Sequence, residues 1–156
     1  MVLAAVFIMP LLLQIVAARD YPEVAAMGKD SFFAGAWNSV WAALLFIAGW
    51  LLTLPLWLVP GLGLVLPLFW MAWLNRRTFA YDALSAHASE AEWQVLSARH
   101  KAPLLLLGLC MALLAHVPLL GLLAPALAAL AFVHYGLESL RRLRRKSLPG
   151  EWRAVD

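Results

Sequence analysis

The sequence predicts an all-α, polytopic integral membrane protein with spanning helices and two re-entrant (hemi-penetrating) helical hairpins. Three observations carry this prediction. Of 156 residues, 64% are hydrophobic and 13% charged, far from the composition of a soluble domain and more apolar side chain than one core of this size can hide. The charges are also segregated: residues 1–18 hold none, Ser31 to Asn75 is an uncharged run of 45, and Ala102 to Leu137 is another of 36. Finally, the phrase Val-Pro-x-Leu-Gly-Leu-x-x-Pro occurs twice, from Val59 to Pro67 and from Val117 to Pro125, each time inside an apolar run. Proline removes a backbone donor and clashes with the preceding turn, while glycine tolerates a tight reversal. The chain therefore turns at membrane depth, and paired interruptions of this kind mark a transporter or channel site.

Residues 1–18 predict a span bent at Pro10, roughly 27 Å long at about 1.5 Å per residue, against a bilayer core of about 30 Å. Val16-Ala17-Ala18 imitates a signal cleavage site, but Met1-Val2-Leu3-Ala4 lacks the positive start a signal peptide needs. A span normally has polar flanks on both sides, so the chain is expected to begin abruptly. Residues 31–75 predict a span from about Ser31 to Leu52 and a first hairpin turning at Pro60 to Gly63. Two basic residues lie between Arg19 and Asp30, four between Arg76 and Lys101, and six after Leu137. The positive-inside rule then places the middle stretch and the tail in the cytoplasm and the first loop outside. That requires an odd number of crossings in the 45-residue run; two crossings would put every loop on one side, and two basic residues are too few to exclude this.

Residues 78–101 predict cytoplasmic interfacial helices. Ser89-Glu90-Ala91-Glu92 fits a capping box. Trp93, Val95, Leu96 and Ala98 give an apolar side, and Arg99, His100 and Lys101 form a basic end suited to the helix dipole and to headgroups. Residues 102–140 predict the second hairpin, with fourteen uncharged residues before its break and about twelve to fifteen after it, too short for two comfortable crossings. Residues 1–146 thus read as one helical membrane domain, and 147–156 as a disordered tail. Tryptophans 37, 41, 57, 70 and 73 cluster near run ends or the first break, as an aromatic belt or as lipid-facing bulk.

Functional chemistry is sought first at the two tips. The helix leaving each tip presents N–H groups near Gly61 to Leu64 and Leu119 to Leu122, and such an end attracts anions. A turn at membrane depth also needs protein or water around its amides. Gly61, Gly63 and Gly121 would let an oxyanion approach the backbone; equally, the phrase serves to close a compact hairpin. Asn75, Arg76 and Arg77 stand where they either guide an anion or anchor the cytoplasmic end. Asp82 and His87 are five residues apart, off a shared helical face, and together with His116 are candidates for a structural or gating role. His116 and His134 are the ionisable groups of the 36-residue run. Their different distances from the second break place them at different depths, so no shared metal is expected.

Cys110 stands alone, and no catalytic cluster or phosphate loop occurs; neither an enzyme nor a cofactor is expected. The run Arg141-Arg142-Leu143-Arg144-Arg145-Lys146 follows a membrane helix directly and reads as an anchor to anionic lipid rather than a nucleic-acid patch. Ala124, Ala126, Ala128, Ala129 and Ala131 give the last arm a thin side suited to helix association, from which a homo-oligomer is expected.

Leu54-Pro55-Leu56-Trp57-Leu58-Val59-Pro60-Gly61-Leu62-Gly63, Tyr81-Asp82 followed by His87, and Val117 to Pro125 together resemble the CysZ sulfate-permease family, which includes the etoposide-induced membrane protein. The resemblance runs from about Ser31 to Arg145. It implies an all-helical bacterial inner-membrane protein with two spanning helices, two hemi-penetrating hairpins, oligomeric assembly and sulfate uptake. The family's segment ahead of the first span has no counterpart here, and Gly121 stands where the family tends to carry asparagine. The resulting expectation is a permease or channel for sulfate or a related small oxyanion, working through an oligomeric pore with the basic carboxyl-terminal tail in the cytoplasm. The alternative is a non-transporting membrane scaffold or assembly factor with the same fold.

Overall fold

The computed structural model describes residues 2–28 and 32–147; apart from Ser147, the tail expected to be disordered lies outside the described residues. Six α-helices follow in order: α1 Val2–Asp20, α2 Phe32–Thr53, α3 Leu62–Leu84, α4 Glu90–Arg99, α5 Lys101–Leu114 and α6 Leu120–Ser147. A 3₁₀ turn, Leu54–Leu58, follows α2, and no strand occurs among the described residues. The protein is an all-α membrane protein. Two stretches are long and apolar enough to cross a bilayer, Phe33–Leu58 and Leu120–Lys146, and α4 with α5, bent by 74°, would count as a third if taken as one span.

Both reversals fall where the repeated phrase predicts them. At the end of α2 the Thr53 hydroxyl donates back to the Gly49 carbonyl at 2.9 Å. Pro55 then removes a helical donor and the chain tightens into the 3₁₀ turn. Gly61, at φ +89°, starts α3. In the second copy the equivalent residue is Leu119, at φ +65°. There the Leu120 N–H reaches back to the Pro118 carbonyl at 2.8 Å, a three-residue reversal of the strained kind.

The hairpin of α2 and α3 is closed by aromatics. Trp70 donates its indole N–H to the Thr53 hydroxyl at 3.2 Å and lies so close to Gly49 that a Cβ there would meet its ring at 2.0 Å. Trp50 meets Trp57 edge to face at 4.7 Å. Trp57 and Trp70 thus hold the hairpin together, while Trp37 and Trp41 remain exposed. On another side of α3, helix α5 approaches closely because Gly108 lacks a side chain: a Cβ there would lie 2.4 Å from the Ala72 carbonyl oxygen. The main core lies between α1, α3 and α6, where Phe132, Val133, Leu137 and Leu140 are fully buried against Ala80, Ala83 and Leu84 of α3 and against Met9, Leu13 and Val16 of α1.

The first loop lies at the other end from the one the positive-inside argument gave it. Met27 N–H donates to the His87 carbonyl at 3.2 Å, and Gly28 N–H to the Ala86 carbonyl at 3.1 Å. Arg144 Nη1 donates to the Ala25 carbonyl at 2.9 Å, and Arg141 pairs with Glu23 at 3.4 Å. The loop is therefore packed against the turn after α3 and against the end of α6. The charged stretches gather at one end, and the 45-residue run leaves and returns to it, as in the two-crossing alternative. The reason is that backbone pairing and two arginine contacts outweigh a charge bias resting on two basic residues.

Three further differences concern the helices. The return arm α6 is 28 residues long, about twice the expected uncharged arm, because Glu138 pairs with Arg141 and Arg142 one turn on and carries the helix through its charges. Helix α3 runs unbroken to Leu84, so residues 78–84 continue the first hairpin and α4 alone forms the short helix expected at the interface. The alanine side of α6 is used inside the chain, with Ala124, Ala128 and Ala129 buried, rather than left open for a second copy.

Candidate functional site: a basic pocket at the charged end

The side chains of α2, α3, α4 and α5 converge on a cavity of about 280 Å³ at the charged end. Helix α3 supplies Trp73, Arg76, Arg77, Ala80 and Tyr81, whose spacing sets them on one stripe. Asn38 enters from α2, Trp93 and Ser97 from α4, and Lys101 with Leu104 from the first turn of α5. The 74° bend between α4 and α5 is what brings Trp93 and Lys101 to the same cavity. The α4 side is fixed by the capping box, with Glu92 N–H donating to Ser89 Oγ at 3.4 Å and Ser89 N–H to Glu92 Oε2 at 2.8 Å.

Charge is what distinguishes this cavity. Arg76, Arg77 and Lys101 line it, no carboxylate does, and none of the three enters an ion pair among the described residues. Arg77 lies over the Trp73 ring, 5.9 Å from its centre. Burial, then the charge of Arg77, pushes the Arg76 guanidinium below its ordinary pKa. The Asn38 side-chain nitrogen is buried with no hydrogen-bond acceptor. Guanidinium groups donate in pairs to planar or tetrahedral oxyanions, and an orphaned amide donor costs free energy until an acceptor arrives. The cavity is thus short of negative charge, and one of its buried donors lacks an acceptor.

The other basic residues behave differently. Arg144 holds Glu92 at 2.8 and 3.0 Å and also donates to the His87 carbonyl at 2.8 Å. Arg141 pairs with Glu23 and Glu138, and Arg142 with Glu138. Three of the five basic residues of the run expected to anchor lipid are therefore paired within the fold.

Of the residues singled out from sequence, Arg76 and Arg77 meet in this pocket. Asn75 faces away and donates to the Gly108 carbonyl at 3.2 Å, bracing α3 on α5. Asp82 is half-buried one turn beyond, and burial raises its pKa to about 6. His87 contributes its carbonyl to Met27 and Arg144. Gly61, Gly63 and Gly121 lie at the opposite end. A Cβ on Gly63 would stand 3.1 Å from the Trp57 carbonyl oxygen, and one on Gly121 2.5 Å from that of Ala115, so both glycines make room for the hairpin's own backbone. The turns also occupy their first amides: Leu62 N–H donates to Val59, Leu64 to Gly61, and Gly121 to Val117. His116 donates from Nδ1 to the Ala112 carbonyl at 2.7 Å at the second tip. His134 lies midway along α6, with Tyr21 Oη 3.4 Å from its Nδ1 and Asp20 at 3.9 Å.

Sequence reasoning missed Asn38, Tyr81, Trp93, Ser97 and Lys101 as pocket residues. Asn38 carried a signal, an amide inside an uncharged run; Lys101 reads from sequence only as a helix-end charge.

A helical membrane protein with paired hairpin tips at one end and an unneutralised basic pocket at the other belongs with the solute-handling membrane proteins. Residues 1–125 match the family described as Sulfate transporter CysZ/Etoposide-induced protein 2.4, and the chain belongs to that family. The match reaches back over α1, ahead of the resemblance that began at Ser31, and ends at Pro125, so it contains both tips and every pocket residue. No curated protein and no solved structure matches the chain.

Proposed function

We propose that this protein moves sulfate or a related small oxyanion across the membrane, and that Arg76, Arg77, Lys101 and Asn38 form the station where the ion meets the protein at its charged end. The observation that carries the reading is the set of three cations without a carboxylate partner around one cavity, in a chain of a transporter family. The hairpins are read as re-entrant. The apolar part of α3, residues 62–74, and the fourteen residues of α5 reach about 20 Å at 1.5 Å per residue, short of a bilayer core of about 30 Å. Their tips expose Leu58, Leu64, Leu119 and Leu122 at 71% or more, which suits lipid and not a far aqueous surface. Under the positive-inside rule the basic end lies in the cytoplasm of a bacterial inner membrane. A homo-oligomer completes the pathway, since a single copy has few spans with which to enclose one.

A second reading, a scaffold that transports nothing, draws on the tips: several of their amides, with Gly63 and Gly121, are already used by their own turns. Uptake of radiolabelled sulfate into liposomes separates the two. Saturable uptake that is abolished by Arg76→Gln with Arg77→Gln, and reduced by Gly63→Leu or Gly121→Leu, is expected of the permease. Absence of uptake from inserted, oligomeric protein would leave the scaffold reading.

A further inference from the structure

The pocket does not end at its cations. On the same stripe of α3, at four-residue spacing toward the tip, lie Trp73, Phe69 and Val65. Phe69 is 45% exposed and Val65 59%, so the stripe is open to lipid along two turns below the charges. Leu104 of α5 and Asn38 of α2 also line the pocket. The result is a site with cations and one buried amide donor at the membrane surface and an aromatic and aliphatic track running inward from them. A free inorganic ion uses only the upper half of such a site.

We propose that the pocket and its track hold one anionic phospholipid. Its phosphate sits among Arg76, Arg77 and Lys101 within reach of the Asn38 amide, and one acyl chain lies over Trp73, Phe69 and Val65. Charge complementarity selects the headgroup, because three uncompensated cations would leave a zwitterionic headgroup's own cation repelled. The lipid phosphate and a free sulfate share the same cations, so the lipid competes with the ion. That clause rests on the oxyanion reading above; the lipid site itself does not.

The test uses the full chain in mild detergent, titrated with phosphatidylglycerol or phosphatidylcholine and read by native mass spectrometry, so that no transport is required. Replacing Arg76, Arg77 and Lys101 by glutamine is expected to weaken phosphatidylglycerol binding about tenfold or more, as loss of charge-assisted bonds implies. Replacing Arg99, Arg145 and Lys146 by glutamine removes the same charge outside the pocket and is expected to change binding less than about twofold, as for exposed charges. Phe69→Asn is expected to weaken the lipid and leave sulfate displacement of the remaining lipid intact. Lys101→Gln alone, at an exposed position, carries the test should the triple variant fail to fold. Equal loss in the two triple variants would reduce the site to diffuse basic charge and overturn the proposal. So would equal binding of the two lipids, or insensitivity to Phe69→Asn, which would leave an oxyanion site without a lipid. Absent sulfate flux in liposomes touches only the transport reading.

Discussion

Leu119 takes a positive φ of +65° where its equivalent Gly61 takes +89°. A left-handed residue with a Cβ costs roughly 1–2 kcal/mol, and the Leu119 side chain is 81% exposed, so little packing offsets that cost. Leu119→Gly is therefore expected to raise stability by about 1 kcal/mol in thermal or denaturant unfolding in detergent, whereas Gly61→Ala lowers it by about 1–2 kcal/mol; nothing lies within 4 Å of a Cβ at Gly61, so its cost is conformational. The repeated phrase made both reversals legible in the sequence, but the left-handed residue is its unmatched third position, which is why the strain at Leu119 was not. Asp82 gives a second residue-scale expectation. Burial raises its pKa from 3.8 to about 6, so the folded chain holds this proton more tightly than the unfolded one. Stability contributed by this group then rises as pH falls through 6 and levels off below 3.8, a difference of about 3 kcal/mol as an upper bound. Asp82→Asn is expected to raise the melting temperature at pH 7.5 and to flatten its slope between pH 7 and 5; an unchanged slope would place the carboxylate in water.

At the scale of elements, one side chain joins three of them. Arg144 near the end of α6 binds Glu92 in the first turn of α4, the His87 carbonyl in the turn after α3, and the Ala25 carbonyl in the segment after α1. Both partners of the ion pair are 20% exposed, so the interaction is screened far less than a surface pair. Arg144→Ala is expected to destabilise the protein by about 2–3 kcal/mol and to open the segment 21–28 to protease before the helices. The hydrogen bond from Arg144 holds Glu92 below its ordinary pKa of 4.5. A depressed carboxylate contributes stability above that value and loses it as pH falls through the folded pKa, so the wild-type advantage over Arg144→Ala is expected to shrink in acid. The capping box of α4 could be read from Ser89 and Glu92 because its partners lie three residues apart. The clamp could not, since residues 25, 92 and 144 meet only through the fold; a basic run after an apolar helix reads as a lipid anchor whichever of its members is paired inside.

At the scale of the whole molecule, the run lengths, both tips and the helical class followed from charge segregation and the proline phrase, whereas the end at which the first loop lies did not. The positive-inside rule compares counts, and the first loop's count of two carried little weight against the hydrogen bonds of Met27 and Gly28 to the turn at Ala86 and His87. The pocket was equally hidden, since Asn38, Arg76 and Lys101 come from three helices and gain meaning only where those helices meet. The topology is directly testable. With Cys110 replaced by alanine, single cysteines at Glu23, Ala86 and Arg145 are expected to react with a membrane-impermeant maleimide from the same side in oriented vesicles, because direct contacts tie their segments together. Cysteines at Leu58 and Leu119, exposed at the two tips, are expected to react poorly from both sides if the tips end within the bilayer. Labelling of Glu23→Cys from the side opposite Arg145→Cys would break the arrangement of α1, α3 and α6 at the charged end. Fast labelling of the two tip positions from the far side would instead keep that arrangement and make both hairpins full crossings.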